Sequence, residues 1–169
     1  KDNRSLLITG GAGFIGSNFI DYISEKYPDY HLVNVDVLTY AANKEKNASF
    51  NTLSNYTFYE GDITDKTLLK SIFESHYITG IIHFAAESHV DNSILKPSEF
   101  ITTNINGTHT LLEVAREYWI SNKTYLLETD EYKFLHVSTD EVYGSLGPTG
   151  KFTEKTPYAP NSPYSASKA

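Results

Sequence analysis

Residues 10–16 read Gly10-Gly11-Ala12-Gly13-Phe14-Ile15-Gly16, and no other stretch of the 169 residues narrows the fold as much. An apolar run at residues 5–9 leads into the glycines. Beyond them, Phe14, Ile15, Phe19, Tyr22 and Ile23 recur at helical spacing across residues 14–27. The stretch therefore reads as strand, turn, helix. Pro28-Asp29 then breaks the helix, and residues 31–36 (His-Leu-Val-Asn-Val-Asp) supply a second strand. A βαβ unit that closes this quickly requires a parallel sheet.

The alternation continues along the chain. Residues 56–60 read as a strand, 65–76 as a helix capped by Thr64 or Asp65, and 80–84 as a buried strand. A long helix follows over 97–119 and a fifth strand over 133–138, and a Gly- and Pro-rich loop then runs to Ser162, with Pro163 placed to open a new helix. The polar stretch 121–132 reads as a surface excursion. These elements predict an α/β fold of the doubly wound, Rossmann type, with residues 1–169 forming one domain. Forty per cent hydrophobic content suits a single globular core. A net charge of −7 argues against a nucleic-acid partner, and no apolar run is long enough to cross a membrane. Cysteine is absent, which excludes disulfides and thiolate metal sites; no metal is expected, and the cytoplasm is the default compartment. The chain opens at Lys1 rather than Met and stops at Ala169, just inside a helix, so a further C-terminal substrate domain is expected beyond it.

A glycine turn between a strand and a helix lets a diphosphate approach backbone N–H groups. Gly10, Gly13, Phe14, Ile15 and Gly16 are the candidate cofactor residues of this turn. Asp36 ends the second strand about twenty residues later, where a carboxylate accepts both ribose hydroxyls and repels a 2′-phosphate. That favours NAD over NADP.

The segment His136-Val-Ser-Thr-Asp-Glu-Val-Tyr-Gly144 sits at the carboxyl end of the fifth strand, where open α/β sheets bind ligands. Tyr164 and Lys168 follow as Tyr-Ser-Ala-Ser-Lys, and at this spacing they share a helix face. The ammonium is expected to lower the phenol from its reference pKa of about 10, so that Tyr164 can take a proton from a sugar hydroxyl. A Tyr and a Lys four apart occur on many solvated helices; the pattern gains weight from the glycine turn, Asp36 and Thr139.

Together these residues resemble the extended short-chain dehydrogenase/reductase family, with its NAD-dependent epimerases and dehydratases. The resemblance implies Thr139, Tyr164 and Lys168 as an oxidation triad. It further implies adenosine contacts from Leu38, Thr39, Asp62 and Ile63, a nicotinamide-side approach at Ala85 and Ala86, and a cofactor contact from Thr103. Ser88 and His89 would meet the substrate, and the full-length protein would be a homodimer built on its long helices. The family commonly carries Arg at the position of Asn92 and Gly at that of Ala42.

The pair Asp140-Glu141, with His83-Phe-Ala-Ala-Glu-Ser-His-Val-Asp91, is similar to the nucleotide-sugar 4,6-dehydratase branch of that family. That branch implies dTDP-glucose as substrate and a 4-keto-6-deoxy sugar as product. Glu141 would take the C5 proton, while Asp140, held protonated, would give one to the departing C6 hydroxyl. Adjacent residues on a regular strand face opposite sides. The strand is therefore expected to end by Thr139, so that both carboxylates reach the cleft. A nucleotide-sugar 4-epimerase, a UDP-glucose 4,6-dehydratase and a non-catalytic NAD-binding module remain as alternatives.

Overall fold

The computed structural model describes residues 4–121 and 131–169. Its elements are β1 (Arg4–Thr9), α1 (Phe14–Lys26), β2 (His31–Asp36), α2 (Lys44–Ser49), β3 (Tyr56–Glu60), α3 (Lys66–Ser75), β4 (Tyr77–His83), α4 (Val90–Leu95), α5 (Pro97–Phe100), α6 (Thr108–Arg116), β5 (Lys133–His136) and α7 (Pro163–Lys168). The strands lie in the order β3-β2-β1-β4-β5, and every pairing is parallel. This is the doubly wound sheet that the alternation predicts.

Side chains alternate across the sheet, so each strand feeds two layers. Leu7, Val33, Val35 and Ile81 pack with Leu69, Ile72 and Phe73 of α3 and with Leu111 and Val114 of α6. On the opposite face Ile8 and Leu32 pack with Ile20 of α1, Phe50 and Tyr56. Burying a side chain of this size contributes about 1.5–3 kcal/mol. Of the two expected caps of α3, Asp65 serves: its carboxylate accepts from the backbone N–H of Thr67 and Leu68.

Several local expectations are corrected. Phe14, Ile15 and Tyr22 do not join the core; they are 83%, 61% and 52% exposed. The buried residues of α1 are Gly16, Ser17 and Ile20, because its first turn stands over an open cleft. β4 starts at Tyr77 and stops at His83, and β5 stops at His136. The long helix is present, but it widens to π geometry at Ile101–Gly107 and again at Glu117–Ser121. α2 and α4 are additional; α2 (Lys-Glu-Lys-Asn-Ala-Ser) buries only Asn47 and so carries no apolar period to read. Most of the polar stretch 121–132 lies outside the described residues. Among the described residues no helix is long and apolar enough to cross a membrane.

Candidate active site

Each strand sends the residues just past its carboxyl end into one cleft of about 560 Å³. β1 contributes Gly10, and α1 opens behind it with Gly13, Phe14, Ile15 and Gly16. β2 contributes Asp36 and Thr39, and β3 contributes Asp62 and Ile63. From the β4 side come Ala85, Ala86, Ser88 and His89, with Thr103 from the long helix, and α7 adds Tyr164 and Lys168. Leu38, Thr139, Asp140 and Glu141 are the sequence candidates that do not line it.

The glycine turn is built for close approach. Gly10 has φ +71, and a Cβ there would sit 2.6 Å from the backbone N of Ala85. Among the described residues no side chain caps the N-terminus of α1. The first-turn N–H groups of a 13-residue helix therefore face the cleft with the positive end of its dipole. Asp36 organises this corner: Oδ2 accepts from Ala12 N at 2.9 Å and Oδ1 from Leu38 N at 2.8 Å. Leu38 is held at φ +54 and is not part of the cleft wall. A carboxylate oxygen has further lone pairs, so Asp36 can still accept from diol hydroxyls.

Behind the turn lies a buried network that sequence reasoning missed. Asn34 Oδ1 accepts from Gly11 N at 3.1 Å, and its Nδ2 donates to Asn47 Oδ1 and to Tyr56 Oη. Burial pushes the Tyr56 phenol up to about 12. The only signal in the sequence was an Asn set between two valines in the middle of a strand.

A second polar chain crosses the site through His83, which is fully buried. Thr9 Oγ1 accepts from Ala85 N–H and lies 2.6 Å from His83 Nδ1. Thr108 Oγ1 donates to the carbonyl of Asn104, so it accepts from His83 Nε2 at 2.8 Å. This fixes the proton on Nε2, and in the neutral ring Nδ1 then accepts from the Thr9 hydroxyl. Burial, then the neighbouring His136 and Lys168, hold its pKa down to about 3. Asn104, in the π segment beside Thr103, grips the backbone N–H and carbonyl of Glu87 at 2.8 and 2.9 Å and donates to Ser167 Oγ at 2.8 Å. It joins the loop after β4 to α7.

On α7 the Ser162 and Ser165 side chains form a capping box with Pro163 in the first turn, which places Tyr164 and Lys168 one turn apart. Lys168 is 6% exposed, and burial lowers its pKa to about 8. The expected depression of Tyr164 is not found: burial raises the phenol, a Thr139 hydrogen bond opposes this, and Glu141 and Asp140 add to it. Desolvation leads, and the Lys168 ammonium is not among the charges that act on the phenol.

Strand pairing ends at His136, Thr139 is still extended at φ −142 and ψ 150, and residues Asp140–Tyr143 then form a 3-10 turn. Thr139 Oγ1 caps this turn by accepting from Glu141 N at 3.3 Å. Gly144 closes it at φ +89, where a Cβ would lie 2.5 Å from the carbonyl oxygen of Ala159. The two carboxylates are thus not on opposite strand faces. Both are exposed at the rim beside Tyr164 rather than in the cleft wall, so the expectation that they reach the cleft is met only at its edge.

A family model described as GDP-mannose 4,6 dehydratase matches residues 7–169. The chain belongs to the GDP-mannose 4,6 dehydratase family. It is 53% identical over 165 residues to a dTDP-glucose 4,6-dehydratase of Xanthomonas campestris pv. campestris, covering 96% of this chain and 45% of that protein. A dTDP-glucose 4,6-dehydratase from Streptomyces venezuelae, solved with NAD and TYD bound, superposes with a TM-score of 0.82 at 44% identity, over 97% of this chain and 48% of that one. A UDP-Glc/GlcNAc 4-epimerase from Campylobacter jejuni superposes equally well, TM-score 0.82, at 29% identity over 98% of this chain and 46% of that one. The chain spans about half the length of the curated relatives it matches. The family is the one the motifs resemble, and the dehydratases are nearer to this sequence than the epimerase.

Proposed function

We propose that the protein carrying this segment converts dTDP-glucose into its 4-keto-6-deoxy derivative with a tightly held NAD, and that this segment supplies the cofactor cleft and the acid–base groups. One observation carries the reading: Thr139, Asp140 and Glu141 leave the strand together on a turn and bear on the phenol of Tyr164. A dehydratase needs an acid and a base beside its redox site, and an epimerase does not.

The cleft suits the dinucleotide. The uncapped α1 N-terminus offers its first-turn N–H groups to a diphosphate, Gly10 lets the backbone of Ala85 close in beside it, and Asp36 lines the ribose side while disfavouring a 2′-phosphate. Bound there, NAD supplies hydride acceptance from C4 and hydride return to C6. Tyr164 takes the C4 hydroxyl proton, with Thr139 holding that oxygen and Lys168 carrying the compensating charge. Glu141 removes the C5 proton that the new ketone acidifies, Asp140 protonates the C6 hydroxyl as it leaves, and Glu141 returns a proton to C5 once C6 is reduced. Ser88 and His89, on the cleft wall after β4, orient the sugar. An exposed apolar row on the long helix, Ile101, Ile105 and Leu112, supports homodimerisation.

The test uses the full-length protein with dTDP-glucose and no added NAD, following the 4-keto-6-deoxy product by its absorbance in alkali. Product is expected. A C4-inverted sugar would replace this reading by epimerisation, and turnover of UDP-glucose alone would keep the mechanism and overturn the nucleotide.

A further inference from the structure

The loops that follow β2 and β4 meet over the glycine turn. β1 lies between β2 and β4 in the sheet, so any contact between their two loops passes above the carboxyl end of β1 and the start of α1. Such a contact exists. The rings of Tyr40 and His89 stack with centroids 5.9 Å apart and planes 28° from parallel. Tyr40 is 70% exposed, so the fold gains little from placing an aromatic ring there.

Both sides of the contact are anchored. Asp36 holds Leu38 N–H, Ala42 N–H donates to the Thr39 carbonyl at 3.1 Å, and Asn43 N–H donates to the carbonyl of Ala12 at 2.8 Å. Tyr40 is therefore the apex of a turn tied at one end to the ribose-side carboxylate and at the other to the glycine turn. Opposite it, Asn104 clamps Glu87 two residues before His89, and the His89 carbonyl accepts from Ser93 N–H. Residues on both sides of the stack, Thr39, Ala41, Ala42, Ser88 and His89, line the same cleft.

We propose that Tyr40 and His89 form a strap across the diphosphate of the bound dinucleotide and set how slowly it leaves. The proposal rests on the cofactor reading above and makes Tyr40 a positioning residue. A cofactor that must receive a hydride and give it back in one turnover gains from slow release, and the strap supplies that without touching the reacting atoms.

The full-length protein would be loaded with labelled NAD and chased with excess unlabelled NAD, without sugar, so that a substrate role of His89 does not enter. Stacking of one aromatic pair predicts about two- to tenfold faster release for Tyr40→Ala. Tyr40→Phe should release at the wild-type rate, because the ring rather than the hydroxyl makes the contact. Stripped of NAD, Tyr40→Ala should melt at the wild-type temperature. His89→Ala should match Tyr40→Ala, and the double variant should be no faster than the faster single one. Wild-type release from Tyr40→Ala, or effects that multiply in the double variant, would overturn the strap while leaving the cofactor reading intact. Failure of the wild type to retain NAD would instead remove the cofactor reading and the strap with it.

Discussion

Acid should weaken this fold through His83. In the folded chain its pKa is held down to about 3, against 6.5 for a free imidazole. The unfolded chain therefore takes up the proton first, and the contribution of neutral His83 is complete above 6.5 and declines as pH falls from there toward 3. The full difference, 6.5 minus 3, corresponds to about 5 kcal/mol, of which about 2 kcal/mol is lost by pH 5. That is a large share of the ~5–15 kcal/mol typical of a domain. The comparison variant is His83→Gln, whose amide can accept from Thr9 and donate to Thr108 but does not titrate. Urea unfolding of the full-length protein at pH 7, 6 and 5 should show the wild type losing about 2 kcal/mol relative to His83→Gln between pH 7 and pH 5. Other titrating groups act on both proteins and cancel in the difference. Parallel pH dependences would refute the assignment of a neutral, doubly bonded His83.

Gly10→Ala should destabilise by about 1–2 kcal/mol for the left-handed backbone alone, and more because its Cβ meets the backbone of Ala85; a urea midpoint measures it. Glu141→Gln should leave oxidation at C4 in place and slow C5 proton removal by about 10²–10⁴-fold, read as lost deuterium incorporation at C5 in heavy water. With Tyr164 raised and Lys168 lowered to about 8, the working form of the pair holds one proton between them, so kcat/KM should climb as pH rises to about 8 and then level off. A kcat/KM already falling between pH 7 and 8 would contradict that ordering.

How much of this was legible in the sequence depended on whether a feature is periodic. The five strands, the glycine turn and the Tyr164/Lys168 spacing repeat at the period of the element that carries them, and all were readable. Two short helices were not: α2 is polar along its length, and α4 leaves Ile94 and Leu95 exposed, so neither shows an inward face. The clamps escaped for another reason. Asn34, His83 and Asn104 matter through partners 13 to 74 positions away, and the type of a single polar residue does not reveal which distant group it will meet. The direction of the Tyr164 shift was misjudged because spacing puts Lys168 on the same helix face but says nothing of how deeply the phenol is buried or of the carboxylates that the fold brings beside it.

The sheet itself does not choose the reaction. A dehydratase and an epimerase superpose on this chain with the same TM-score of 0.82, so the backbone fold is common ground. What can differ is the geometry just past β5. Had the strand run on through Val142, Asp140 and Glu141 would point to opposite faces of the sheet, and one carboxylate would be lost to the chemistry. Ending the strand at His136 and capping a 3-10 turn with the Thr139 hydroxyl puts both beside Tyr164. The Thr139 hydroxyl accepts from the Glu141 N–H and donates to its carboxylate at 3.4 Å, and it stands close enough to the phenol of Tyr164 to oppose the rise in its pKa. Thr139→Val, which keeps the shape and removes that hydroxyl, should therefore impair elimination as well as oxidation, while Thr139→Ser should restore both.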